Sequence, residues 1–113
     1  MSMAEKLAEI EHLLQKLRAE YPAESGAFLH FMQTAESGKA LDLRTMELIN
    51  VALAISAQCE WCIALHVKQA LTAGATRDQV MSAGFMAVLM HGGPALMYLT
   101  PLTHALAEFS ATA

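Results

Sequence analysis

Residues 48–57, LINVALAISA, are apolar almost all round, interrupted only by Asn50 and Ser56 and bracketed by Glu47 and Gln58. The run is too short to span a bilayer, which takes about 18 or more apolar residues in a row. A helix without a wet face has to sit at the centre of a core or of a subunit contact. Whatever this chain folds into is therefore built around that helix.

The flanking segments read as further helices. No apolar–polar alternation persists, no Gly/Ser-rich linker divides the 113 residues, and no segment repeats at a fixed period. A first helix is predicted over roughly Met3 to Glu20, with Leu7, Ile10, Leu14 and Leu17 at helical spacing, ended by Tyr21-Pro22. Pro22 suits the first turn of a second helix, which carries Phe28, Leu29, Phe31 and Met32 and stops near Ser37-Gly38. Asp42 is an N-cap for a third, roughly Leu43 to Ala57. A fourth holds CEWCIALHVKQALTAG and ends at Gly74, a residue suited to a left-handed C′ position. Thr76 to Gln79 forms a capping box for a fifth helix through about Met90, broken by Gly92-Gly93-Pro94. Pro94 opens a last helix in which Pro101 is expected to produce a kink, and the terminal SATA is expected to fray. The fold class is all-α: a single domain over residues 1–113, a bundle of about six helices.

Hydrophobic residues make up 55% of the chain and charged residues 16%, more apolar and less charged than an average domain. A domain of this size buries only about two-thirds of its unfolded surface, so the surplus points to subunit contacts. The N-terminal MSMAEKLAEIEHLLQKL is an amphipathic charged helix rather than a signal sequence. A cytoplasmic protein with no membrane span is expected. The net charge of −4, without a Lys/Arg cluster, argues against nucleic acid as a partner.

Two cysteines in a cytosolic chain point to chemistry rather than to a staple, since that compartment keeps thiols reduced. A pair two residues apart also closes almost no loop. At about 100° per residue, Cys59, Cys62 and His66 fall at roughly 0°, 300° and 340° on a helix, one narrow stripe. A thiol becomes nucleophilic as the thiolate, favoured by a helix N-terminus and by a neighbouring base. The early turns of the fourth helix offer both, with His66 as the base. Glu47 is the one acid at the head of the apolar run, and a short turn near Gln58 would bring it toward this stripe to orient His66 or to act as a base through a water.

Zinc is the rival reading, because Cys59, Cys62, His66 and Glu47 could supply four ligands. A second CxxC or HxxxH knuckle is missing from the sequence, so neither metal nor cofactor is expected. His12, His30 and His104 read as surface residues, and His91 as a helix-terminal residue beside a glycine loop. Trp61, Met81, Met86, Met90 and Met97 read as core or interface. Gly92-Gly93 lacks the lysine of a phosphate loop.

Glu47-x11-Cys59-x2-Cys62-x3-His66, followed by VKQALTAGATRDQV and MHGGPALMY, resembles the alkylhydroperoxidase D-like branch of the carboxymuconolactone decarboxylase family. The resemblance covers roughly Leu41 to Pro101, taken as the catalytic core. It implies an all-helical subunit assembled into trimers or hexamers, and a peroxidase that reduces a hydroperoxide at the expense of an external dithiol. Carried over by position, it makes Cys62 peroxidatic, Cys59 resolving, and Glu47 with His66 the proton relay. The best-known peroxidase of the branch has a histidine where this chain has Trp61, and it is a longer protein. The decarboxylase branch acts on a lactone without the cysteine pair. Lactone decarboxylation and a non-catalytic zinc or assembly module are the alternatives to a thiol peroxidase.

Overall fold

The apolar run becomes α3 (Leu43–Ser56) of a computed structural model described over residues 1–110. Asp42 starts it as expected, its Oδ1 accepting from the Thr45 N–H at 2.7 Å. That bond holds the Asp42 carboxyl below its ordinary value of 3.8. α3 packs most extensively on α4 (Glu60–Thr72) and α5 (Arg77–His91). α4 packs in turn on α7 (Leu99–Ser110) and α1 (Met3–Glu20), while α2 (Pro22–Glu36) leans chiefly on α1. Among the described residues all regular structure is helical, and no helix is long and apolar enough to cross a membrane.

The core lies where α3, α4, α5 and α7 meet, and Val51, Ile55, Ile63, Val67, Val80 and Leu102 have no exposed surface. Each such side chain contributes about 1.5–3 kcal/mol by leaving water. α5 reaches α7 closely because Gly84 leaves room: a Cβ there would stand 2.7 Å from Leu102 Cδ2. The two ends of the chain are tied together by Glu108 of α7, whose oxygens accept from the Met3 and Ala4 N–H groups at 3.0 and 3.1 Å. Ser2 and Glu5 complete that N-terminus as a capping box, and Thr76 and Gln79 form the expected one at α5.

Two expectations need correction, those for the last helix and for the apolar stripe of α1. The last helix does not kink at Pro101: it breaks at Tyr98, leaving a five-residue α6 (Gly93–Met97) ahead of α7. Pro101 is then the third residue of α7, inside the first turn, where a missing N–H leaves no helical bond unmade. In α1 the stripe of Leu7, Ile10, Leu14 and Leu17 is only half-buried, and the buried residues are Met3 and Lys6, which lie under α7 and α4. In α2, Phe28 and Phe31 are exposed, and Ser25 is the buried residue, because only α1 covers this helix to any extent. Of the terminal SATA, Ser110 closes α7 and the rest lies outside the described residues.

Candidate active site

The site grows out of the tight junction between α3 and α4. At the end of α3 the Gln58 N–H donates to the Ile55 carbonyl at 3.0 Å and the Cys59 N–H to the Ala54 carbonyl at 3.2 Å. This crossed pattern needs a left-handed residue between. Gln58 supplies it at φ 55°, the one non-glycine residue with positive φ among those described. Cys59 follows at once and is itself the N-cap of α4, its Sγ accepting from the Cys62 N–H at 3.2 Å.

Cys59 therefore stands one residue outside the helix, where the spacing had placed it within. It is bonded to Cys62 as a disulfide, with 5.2 Å between the Cα atoms. Both sulfurs sit at the positive end of α4, where unpaired N–H groups favour a thiolate once the bond is opened.

One turn on from Cys62, His66 places Nδ1 3.0 Å from Glu47 Oε2. Glu47 is 1% exposed although it is the acid of an otherwise apolar helix. Asn50 Nδ2 donates to its Oε1 at 3.2 Å. The Gln69 amide, turned with its nitrogen toward the carboxylate, donates to Oε2 at 2.9 Å and Oε1 at 3.3 Å. Three donors thus converge on one buried carboxylate, as burial of a charge demands. A carboxylate only accepts, so Nδ1 carries the imidazole proton and Nε2 is left as the basic nitrogen.

The α3–α4 junction brings Glu47 to His66 and carries the Cys59–Cys62 disulfide at the head of the same helix α4. Of the proposed zinc ligands, the two sulfurs are bonded to each other and do not belong to the cluster of donor atoms found among the described residues. The donor groups that cluster are Glu36, Glu47 and His66, with one ligand atom of each within 4.8 Å of the others. Glu36 ends α2, and together with Leu43, Glu47, Gln69, Thr72 and Ala73 it lines a pocket of about 310 Å³.

Trp61, between the cysteines, is half-exposed and not part of the core. Its Nε1 donates to Glu9 Oε1 at 2.9 Å, and Lys6 Nζ stands 5.4 Å from the ring centroid. Met86, Met90 and Met97 are exposed and Met81 is half-buried, so these methionines do not fill the core as a group. His12, His30, His91 and His104 are exposed, and His91 closes α5.

Sequence reasoning missed Asn50, Gln69 and Glu36. Asn50 and Gln69 stand three residues after Glu47 and His66, a spacing that shares a helix face. Glu36 is brought in from a different helix and leaves no spacing signal.

The sequence model of the carboxymuconolactone decarboxylase family matches residues 22–105. An uncharacterized protein of Cupriavidus necator is 37% identical over 106 residues, covering 94% of this chain and 91% of that protein. An "Uncharacterized protein 4 in cox locus" of Paracoccus denitrificans is 46% identical over 69 residues, 61% of this chain and 62% of the relative. A carboxymuconolactone decarboxylase family protein from Legionella pneumophila has the same fold, with a TM-score of 0.91, 38% identity and 96% of each chain covered. One from Thermotoga maritima matches with a TM-score of 0.84 at 20% identity, over 94% of this chain and 91% of that one.

Proposed function

The chain belongs to the carboxymuconolactone decarboxylase family, and from that premise we propose that it is a thiol-dependent peroxidase of the alkylhydroperoxidase D-like kind. The observation that carries the reading is the Cys59–Cys62 pair at the head of α4, one turn from an imidazole held by a buried carboxylate.

In the first step the Cys62 thiol passes its proton to His66 Nε2 and the thiolate attacks the outer oxygen of ROOH. The S–O bond forms, the O–O bond breaks, and the leaving alkoxide takes the proton back: Cys62–SH + ROOH → Cys62–SOH + ROH. Cys59 then displaces hydroxide from the sulfenic sulfur, and the products are the disulfide and water. An external dithiol reduces the disulfide and is itself oxidised. Glu47 keeps the ring in the useful tautomer and supports the imidazolium as it forms. No bound cofactor enters these steps. The exposed apolar residues of α3 and α5 are assigned to contacts in a homotrimer or homohexamer.

Mass spectrometry after one equivalent of an organic hydroperoxide tests the chemistry on the pre-reduced protein. The expected product is the Cys59–Cys62 disulfide in wild type and a trappable Cys62 sulfenic acid in Cys59→Ser. Two free thiols under conditions that oxidise a control thiol peroxidase would refute the reading. Lactone turnover surviving in Cys62→Ser would favour the decarboxylase instead.

A further inference from the structure

Glu47 and His66 are closed off from water along most of their surface. Glu47 is 1% exposed and its oxygens are occupied by His66, Asn50 and Gln69. The regeneration step nevertheless needs protons there. In disulfide + R(SH)₂ → two protein thiols + oxidised RS₂, each attacking sulfur enters as a thiolate whose proton has stayed in water. The S–S bond breaks with its electron pair on a departing protein thiolate, which takes a proton from the site. The relay has to be refilled from solvent.

The pocket of about 310 Å³ between α2, α3 and α4 ends on Glu47 and Gln69. Glu36 stands on its wall, partly exposed, as the last residue of α2. One Glu36 oxygen, one Glu47 oxygen and one His66 ring nitrogen lie within 4.8 Å of one another, a gap that a single water bridges with two hydrogen bonds. Packing does not account for this placement. α2 buries only Ser25, and two carboxylates so close oppose each other electrostatically. A packing role alone would be met by an alanine or a lysine.

We propose that Glu36 is the outer station of the relay, exchanging protons between water in this pocket and the Glu47–His66 pair while Cys59–Cys62 is reduced. It acts through Glu47 and His66 and does not touch the sulfurs. The proposal rests on the reading of the cysteine pair as a redox-active dithiol.

Trp61, the one tryptophan in the sequence, lies between the two cysteines, so its fluorescence is expected to follow their state. Reduction of the oxidised full-length protein by dithiothreitol is followed by stopped flow in dilute buffer at pH 7, with acid quench and alkylation as a second readout. Glu36→Ala is expected to slow reduction on the order of tenfold, less than the roughly 10²–10⁴ of a group that touches the reacting atoms, because Glu36 acts through Glu47 and His66. Imidazole, added at constant ionic strength, should restore the rate of Glu36→Ala and leave wild type unchanged, and Glu36→Asp should keep most of it. An Ala variant as fast as wild type overturns the proposal, and so does one that is slow and deaf to imidazole, the mark of a packing role. The measurement starts from the disulfide and uses no hydroperoxide. Inertness toward hydroperoxides would sink the peroxidase reading and still leave this result interpretable.

Discussion

The two faces of α3 carry their polarity inside out. Its inner face buries Glu47 to 1% exposure beside Val51, Ala54 and Ile55, while its outer face leaves Ile49 and Leu53 at 44% and 59%. A helix of an isolated globule does the opposite, sending its acid to water and its leucines to the core. On the proposed reading each face answers to something beyond the folding of one chain. Inside, the cost of burying a carboxylate is offset by donors from His66, Asn50 and Gln69, which place the acid where the proposed chemistry wants it. Outside, Leu48, Ile49, Ala52 and Leu53 continue into Ala83 and Met86 of α5 as an apolar groove. On the proposed reading a second subunit covers that groove.

The sharpest way to break this contrast is at Glu47. Glu47→Gln preserves volume but replaces one of two acceptor oxygens by an NH₂ facing the donors and takes away the negative charge that supports the His66 imidazolium. The rate of Cys62 oxidation by hydroperoxide, read by quenched alkylation, is expected to fall by about 10²–10⁴. Unchanged oxidation would make the inner acid a structural residue only. The outer face is tested by Leu53→Glu. Light scattering should show wild type as an assembly of at least three subunits and the variant as smaller species. A wild-type monomer at micromolar concentration would mean that the outer face is covered by nothing.

The inner face was partly legible in the sequence. Glu47 stands out as the acid of an apolar run, and the turn at Gln58 brings it to His66 as the spacing suggests. Capping signals were local and correspondingly readable: Asp42, Thr76 with Gln79, and Pro22 all start helices where expected. Two features, Glu36 and Lys6, depended on tertiary placement and were not readable. Glu36 reaches the site from α2, which almost nothing else ties to the core. Lys6 is buried because α1 lies against α4, with its amine near the Trp61 ring and 3.8 Å from Glu60. The break at Tyr98 replaces a kink because Pro101 fits a first turn better than a helix interior.

α3 runs into the site through the junction at Gln58, and the two junctions of α4 show what such a turn costs. The α4–α5 turn closes with the same crossed hydrogen bonds as the α3–α4 turn, Gly74 to Leu71 at 3.0 Å and Ala75 to Ala70 at 2.9 Å. There the left-handed residue is a glycine, at φ 96°, whereas Gln58 takes that place before Cys59. Gln58→Gly is expected to raise stability by about 1 kcal/mol, and Gly74→Ala to lower it by a similar amount. Urea midpoints of the oxidised protein measure both. A destabilised Gln58→Gly would mean that the glutamine side chain holds the junction in a way its backbone angle does not reveal.

The other end of α3 is held by Asp42, and here the expected effect is the smallest, because the group is exposed and salt screens it. Its bond from the Thr45 N–H lowers the carboxyl below 3.8, so the unfolded chain binds the proton more readily than the folded one. The stability it lends is whole above 3.8 and is lost as pH falls through the lower folded value. Glu5, held below 4.5 by Ser2 at the head of α1, acts with the same sign. Asp42→Asn keeps an oxygen for the cap but cannot titrate. Stability measured between about pH 5 and pH 2 should therefore fall less steeply in the variant than in wild type. Equal slopes would mean that Thr45 keeps its bond without drawing on the charge.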